Sequence, residues 1–209
     1  MDASYLAATR FIDWEHPAVE VFANQYGKGR SQKEQAVALY YAVRDSIAYD
    51  PYHLILDANA ISASLTLQRQ SGYCIEKSLL LAAAARANGI PSRLGFSIVR
   101  NHLASEKFVA LLLSDKFVFH GYNEFFLEGR WVKCTPAFNR SLCEKFNTQP
   151  LDWDGESDSI FQEFHGDGRA YMEYLHEYGT FDDLPVDLFF SELRHHYPHL
   201  FTQGNTMLS

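Results

Sequence analysis

The chain has 209 residues, 47% of them hydrophobic and 21% charged, with 26 Asp and Glu against 18 Lys and Arg for a formal charge of −8. This is the composition of an ordinary soluble globular protein, long enough to bury a sizeable core as one compact domain over residues 1–209. The net negative charge argues against nucleic acid as the main partner, because phosphate binding needs clustered positive charge.

In chain order, residues 1–30 read as irregular or weakly helical. The opening MDASYLAATRFIDWEHP has an early Asp and no basic flank before an apolar run, unlike a signal peptide. Ser31 and Glu34 in SQKE have capping-box spacing, and Val37, Tyr40, Tyr41 and Ile47 recur near helical spacing behind them. Pro51 in YDPY ends that helix by disfavouring helical geometry at Asp50. After a loop-like stretch, Ala and Leu dominate 73–88 and predict a helix; Asn88-Gly89 gives a left-handed exit and Pro91 prevents continuation. Leu94, Phe96 and Ile98 alternate as a strand over 92–99, and 107–113 is apolar and fits either strand or helix. FVFHGYNEFFLEGRWVKCTP reads as a hairpin around Glu128-Gly129. From 141 to 209 the chain reads as polar loop and then a helix that starts after Asp183-Leu184-Pro185 and runs to about His195. No apolar run approaches the ~20 residues a membrane helix needs, so no membrane partner is predicted. Helices first and strands after, segregated rather than alternating, predict an α+β fold with an antiparallel sheet.

Three cysteines, Cys74, Cys134 and Cys143, are too few and odd in number for a disulfide scaffold and fit a reducing cytoplasm. Cysteine is among the most buried residue types, so Cys74 taken alone reads as packing. Its position in the first turn of the predicted 73–88 helix also suits a nucleophile: a helix N-terminus lowers a thiol pKa, and its unpaired N–H groups can hold a developing oxyanion. His120 lies on the first strand of the predicted hairpin. If Leu127 pairs with Arg130, Tyr122 pairs with Thr135, and His120 and Thr135 become diagonal neighbours on one face. Nucleophile, base and orienter would then be Cys74, His120 and Thr135.

GYC, the helix LLLAAAARANGIPSRLGF and the hairpin HGYNEFFLEGRWVKCTP together resemble the transglutaminase-like superfamily over about residues 35–140. In that family a Cys opens an Ala/Leu helix with a Gly-Ile-Pro exit, followed by a His-Ala-Trp-type strand, a Gly-x-Trp hairpin and an Asp-Pro. TPAFN and DGESDSIF in the tail resemble a subgroup of small bacterial members. The resemblance implies a papain-like Cys-His core, helices packed on an antiparallel sheet, and the nucleophile at a helix N-terminus. It implies acyl-transfer or amide-hydrolysis chemistry on a peptide or protein amide, with Cys74 matching the nucleophile and His120 the base.

The chain departs from the family pattern at two positions. Tyr122 stands where the family has its aromatic after His-Ala, and the family's triad Asp falls on Thr135. A Thr hydroxyl can accept the ring N–H but brings no charge to stabilise imidazolium, although papain-like sites also run with a neutral Asn. Asp152, Asp154 and Asp158 are the alternative acids. Gln68, Tyr73 and Tyr122 are candidate oxyanion donors beside the Cys74 N–H.

Several features point elsewhere and are weaker. DWDGESDS lacks the register and closing Glu of a calcium loop, Pro198 breaks the helix that would align His195 with His199, and Cys134 and Cys143 have no neighbouring Cys/His set. No metal or cofactor is predicted. RQSGYCIE is also similar to the Arg-Gly-Gly-x-Cys stretch of arylamine N-acetyltransferases, but the GRW hairpin and the Ala-Asn-Gly-Ile-Pro exit favour the transglutaminase-like branch. The leading expectation is a cysteine protease or amidase working through a thioester. Its rivals are an acyltransferase of the arylamine N-acetyltransferase type and a non-catalytic binding module on the same fold. Hydrolysis versus transfer, and oligomeric state, are open at this point.

Overall fold

The computed structural model describes residues 2–102, 104–160 and 172–202. Helix α1 (Pro17–Gly27) begins with Pro at its first position, where a missing N–H is harmless. Helix α2 (Gln32–Ser46) is opened by the predicted capping box: Ser31 Oγ accepts from the Glu34 N–H at 3.4 Å, and Glu34 Oε2 accepts from the Ser31 N–H at 2.9 Å. Helix α2 ends at Ser46, five residues before Pro51, because β1 (Ala48–Tyr49) pairs in parallel with β2 (Ser71–Gly72). Helix α3 (Ala63–Arg69) fills much of the expected loop and is capped by Ser62, whose side chain accepts from the Leu65 N–H.

Helix α4 (Cys74–Ala87) lies at the centre of the molecule. Every residue from Cys74 to Arg86 is buried, so the helix has no polar face. Helices α1, α2 and α3 pack on it, and it in turn packs on two sheet strands, β3 (Ser92–Asn101) and β4 (Lys116–Leu127). Its two buried cations reach backbone carbonyls. Lys77 Nζ donates to the carbonyls of Arg44 at 2.9 Å and Ile47 at 2.7 Å, acceptors that the end of α2 leaves without partners. Arg86 donates to the carbonyls of Ala7 (2.7 Å), Ser92 (2.9 Å) and Asp182 (2.6 Å), tying the N-terminal segment and the approach to the last helix onto the core.

The sheet has the order β5-β4-β3-β6, with β5 (Arg130–Cys134) and β6 (Met172–Phe181), and all its pairings are antiparallel. This is the predicted α+β architecture. The hairpin has the expected register, Leu127 opposite Arg130, across a two-residue turn in which Glu128 and Gly129 both take positive φ (50° and 87°). The apolar run near 107–113 is helix α5 (Glu106–Leu112), and two further helices, α6 (Arg140–Lys145) and α7 (Val186–His196), follow. Strand β6 lies where polar loop was expected; it is an edge strand whose side chains are mostly exposed, so it lacks the apolar alternation of a half-buried strand. Residues 161–171 of that expected loop, including Phe161 of DGESDSIF, lie outside the described residues.

One irregularity positions the site. Between the pairs Ser97/His120 and Val99/Phe117, two residues of β4, Val118 and Phe119, face the single residue Ile98. Phe119 takes a φ of 60°, so β4 carries a bulge immediately before His120. Among the described residues no helix is long and apolar enough to cross a membrane.

Candidate active site

Cys74 is the first residue of α4, with Tyr73 at the N-cap. Two contacts fix this helix start. The buried Glu76 carboxylate accepts the Tyr73 N–H at 3.2 Å and pairs with Arg69 at the end of α3. Gly121 of β4 lies directly against it: a Cβ there would sit 3.2 Å from the Ile75 Cα and 3.4 Å from the Ile75 nitrogen. A side chain there would push strand and helix backbones a few tenths of an ångström apart, and glycine lets them approach without that shift.

Cys74 and His120 line one cavity of about 630 Å³, together with Tyr73, Ile75 and Phe119. Burial pushes the Cys74 thiol up to about 11, against the backbone N–H groups of Gly121, Ile75 and Cys74 itself, which favour the thiolate. Burial also lowers His120 to about 4. Burial thus disfavours the charged form of both side chains that line the cavity. Glu76 is pushed up to about 7 by burial, with Arg69 opposing. Of the donors that favour the thiolate, those of Cys74 and Ile75 sit at the start of α4 and that of Gly121 on β4; N–H groups at a helix start are the kind that can hold an oxyanion.

The remaining sequence candidates have other positions. The hairpin ladder ends at Asn123/Cys134, and the Thr135 N–H donates to the Ser159 carbonyl at 3.1 Å instead of continuing along β4. Thr135 is buried outside the cavity lining, and its Oγ1 has no hydrogen-bond partner among the described residues. Gln68 is exposed on α3 and lines no part of the cavity, because the helix ends at once in a left-handed Gln70 (φ 57°) that turns the chain into β2. Tyr122 lies away from the cavity, with its hydroxyl 3.3 Å from Glu177 and its ring over the space a Gly95 side chain would fill. Of the proposed oxyanion donors, Tyr73 is the one that lines the cavity, and its phenol is held protonated by burial.

The three acids are engaged elsewhere. Asp152 accepts from Arg44 at 3.1 Å, Asp154 accepts from the N–H groups of Glu156 and Ser157 at 2.8 Å, and Asp158 accepts the Lys133 N–H at 2.8 Å. The carboxylate that does line the cavity is Asp50, which accepts the Tyr52 N–H at 2.9 Å. Sequence reasoning passed over Asp50 and Gly121. The signal for Gly121 was a lone glycine inside a strand of bulky aromatics; Asp50 had none, since it reads as the residue before a proline. Among the described residues no group of three or more His, Cys, Asp or Glu side chains could hold a metal ion.

No curated protein matches the chain. Among solved structures it is similar to one described as "a Putative Cysteine Protease from Cytophaga hutchinsonii", at 14% identity and a TM-score of 0.48, covering 85% of this chain and 53% of that one. It is also similar to the periplasmic domain of TgpA from Pseudomonas aeruginosa, at 18% identity and a TM-score of 0.42, covering 63% of this chain and 45% of that one. The chain thus spans about half the length of each. Family membership rests instead on sequence: residues 20–136, more than half of the 209, match the core model of the transglutaminase-like superfamily, and the stretch holds the buried helix, Cys74, His120 and the hairpin. The chain belongs to the transglutaminase-like superfamily.

Proposed function

We propose that the protein is a cysteine amidase or protease that acts through a thioester on Cys74. The observation that carries this reading is the meeting of Cys74, at the first turn of α4, and His120, beside the β4 bulge, in one cavity. His120 takes the thiol proton as Sγ adds to the amide carbonyl. The C–N bond then breaks, the amine leaves with the proton from His120, and the acyl group stays on sulfur. Water next adds to the thioester, gives its proton through His120 back to the departing thiolate, and releases the acid. An amine in place of water gives acyl transfer with the same balance. The substrate is a peptide or protein amide.

A direct test uses p-nitrophenyl acetate and mass spectrometry of the intact and digested protein. Wild type gains an acetyl group on Cys74 as p-nitrophenolate leaves, Cys74→Ala does not, and His120→Ala acquires it about 10²–10⁴-fold more slowly. Acetylation of Cys74 that is absent, or that is equally fast without His120, overturns the proposal.

A second reading, a binding module that keeps the cleft without efficient chemistry, is favoured by Thr135, which supplies no carboxylate behind the imidazole. Under it Cys74 acetylates no faster than Cys134 and Cys143.

A further inference from the structure

The cavity that holds Cys74 extends well beyond the thiol. One wall comes from α5 and the adjoining strand through Phe108, Leu112 and Phe117. Another comes from α6 and its C-terminal end through Leu142 and Phe146, and Phe189 of α7 adds to the lining. Charge is nearly excluded. Among the described lining residues, Asp50 and Lys145 are the ones with a carboxylate or an ammonium; Asp50 is occupied by the Tyr52 N–H, and Lys145 is exposed.

Phe146 adds an independent observation. It is an aromatic residue at 61% exposure that lines the cavity, so its ring carries the apolar lining out to the solvent edge. Its backbone neighbour Asn147 takes a left-handed φ of 51°, which ends α6 and carries the chain back along the same wall. A space of about 630 Å³ also falls within the range that takes most of a small ligand's surface out of water, and far exceeds a glutamine side chain or an acetyl group.

We infer that this cavity is the acyl-side specificity pocket, and that it selects amides whose acyl part carries a bulky uncharged apolar group, aromatic or branched aliphatic. The inference rests on the Cys74 reading for its chemistry and on the pocket alone for its selectivity. Among the described lining residues, a carboxylate entering it would lose water and find only the exposed Lys145 as an ammonium partner, and an ammonium would find only Asp50, which already accepts the Tyr52 N–H. A phenyl or isobutyl group would instead meet ring and methyl surface on several sides. Phe146 is then part of the mouth and covers the ligand rather than shaping the thiol.

The test measures alkylation of each cysteine by N-acetyl-aminoacyl chloromethyl ketones bearing Phe, Leu, Ala, Gln, Asp or Lys side chains. In each, a thioether forms on Cys74 as chloride leaves. The Phe and Leu reagents label Cys74 on the order of 10²-fold faster than the Ala reagent, and the Asp and Lys reagents label it more slowly than Ala. Phe146→Ala reduces the Phe advantage several-fold, whereas Val21→Ala, an exposed apolar side chain of α1 outside the cavity, changes neither the Phe advantage nor the iodoacetamide rate. Equal rates across the series, or a preference for Gln, Asp or Lys, overturn the inference and leave the nucleophile in place. Binding of N-acetylphenylalaninamide, but not N-acetylaspartamide, to Cys74→Ala supports the pocket by itself. If that binding occurs while no reagent labels Cys74 in wild type, the pocket stands and the catalytic reading fails.

Discussion

The hydroxyl of Tyr197 accepts the Val118 N–H at 2.9 Å and donates to the Lys116 carbonyl at 2.6 Å. Both groups belong to the stretch of β4 where the bulge interrupts the ladder. A single side chain from just beyond α7 thus does what a neighbouring strand does elsewhere in the sheet, and it does so two residues before His120.

Tyr197→Phe removes both bonds and leaves a buried donor and acceptor unmet, at about 1–3 kcal/mol. The larger effect falls on geometry. Acetylation of Cys74 slows by about 10–100-fold, as expected for a misplaced base, while urea denaturation still shows a single folded transition. A rate equal to wild type would show that the bulge holds its shape without the clamp.

Gly121→Ala places a methyl group against backbone that cannot rotate aside, 3.2 Å from the Ile75 Cα. The strand must move off the start of α4, which costs about 1–3 kcal/mol and draws the Gly121 N–H away from the sulfur. Thermal denaturation and iodoacetamide kinetics should both register the change. An unchanged melting temperature would mean that the helix start yields more easily than its packing implies.

Thr135→Val tests the family's third position. The Thr135 Oγ1 is buried without a partner among the described residues, so replacing it by a methyl of the same shape is neutral or stabilises the fold by up to about 1 kcal/mol. Cys74 acetylation is unaffected. A rate loss of tenfold or more would instead identify the hydroxyl as the orienter of His120.

His120 also sets an acid limit on stability. Its pKa falls from 6.5 to about 4 through burial, so the unfolded chain binds this proton first. The stabilisation is present above pH 6.5 and is lost as pH drops toward 4, by roughly 3 kcal/mol at about 1.4 kcal/mol per decade. Unfolding free energy measured across this range should lose that part of its slope in His120→Gln. The thiol contributes with the opposite sign: raised from 9.0 to about 11, it stabilises below pH 9 and loses that contribution as pH rises toward 11.

The parts of the fold legible in sequence were those fixed by local chemistry. The Ser31/Glu34 box, the Asn88-Gly89-Ile90-Pro91 exit and the Glu128-Gly129 turn each specify backbone geometry within a few residues, and each has its predicted place. Helix α1 was underread although Pro17 follows His16, whose side chain caps it at the Ala18 N–H. Strand β6 was hidden because its partner β3 lies some eighty residues upstream in the chain and its exposed side chains carry no burial pattern. The bulge at Phe119 was not legible at all, since a phenylalanine gives no sign of a positive φ and tertiary contacts impose it. Within the site, Cys74 and His120 could be named from motif order, whereas the close approach at Gly121 and the commitments of Asp152, Asp154 and Asp158 depend on which elements meet in space.

Because α4 is buried from Cys74 to Arg86, that stretch has no exposed position at which a change would be silent. Its four consecutive alanines, Ala82 to Ala85, are all fully buried, so even a small enlargement must displace a neighbouring helix or the sheet. The walls formed by α5 and α6 are short, partly exposed and far more forgiving. Sequence drift, or deliberate redesign, can therefore reshape what the protein recognises by working on Phe108, Leu142 and Phe146, while the platform under Cys74 stays fixed.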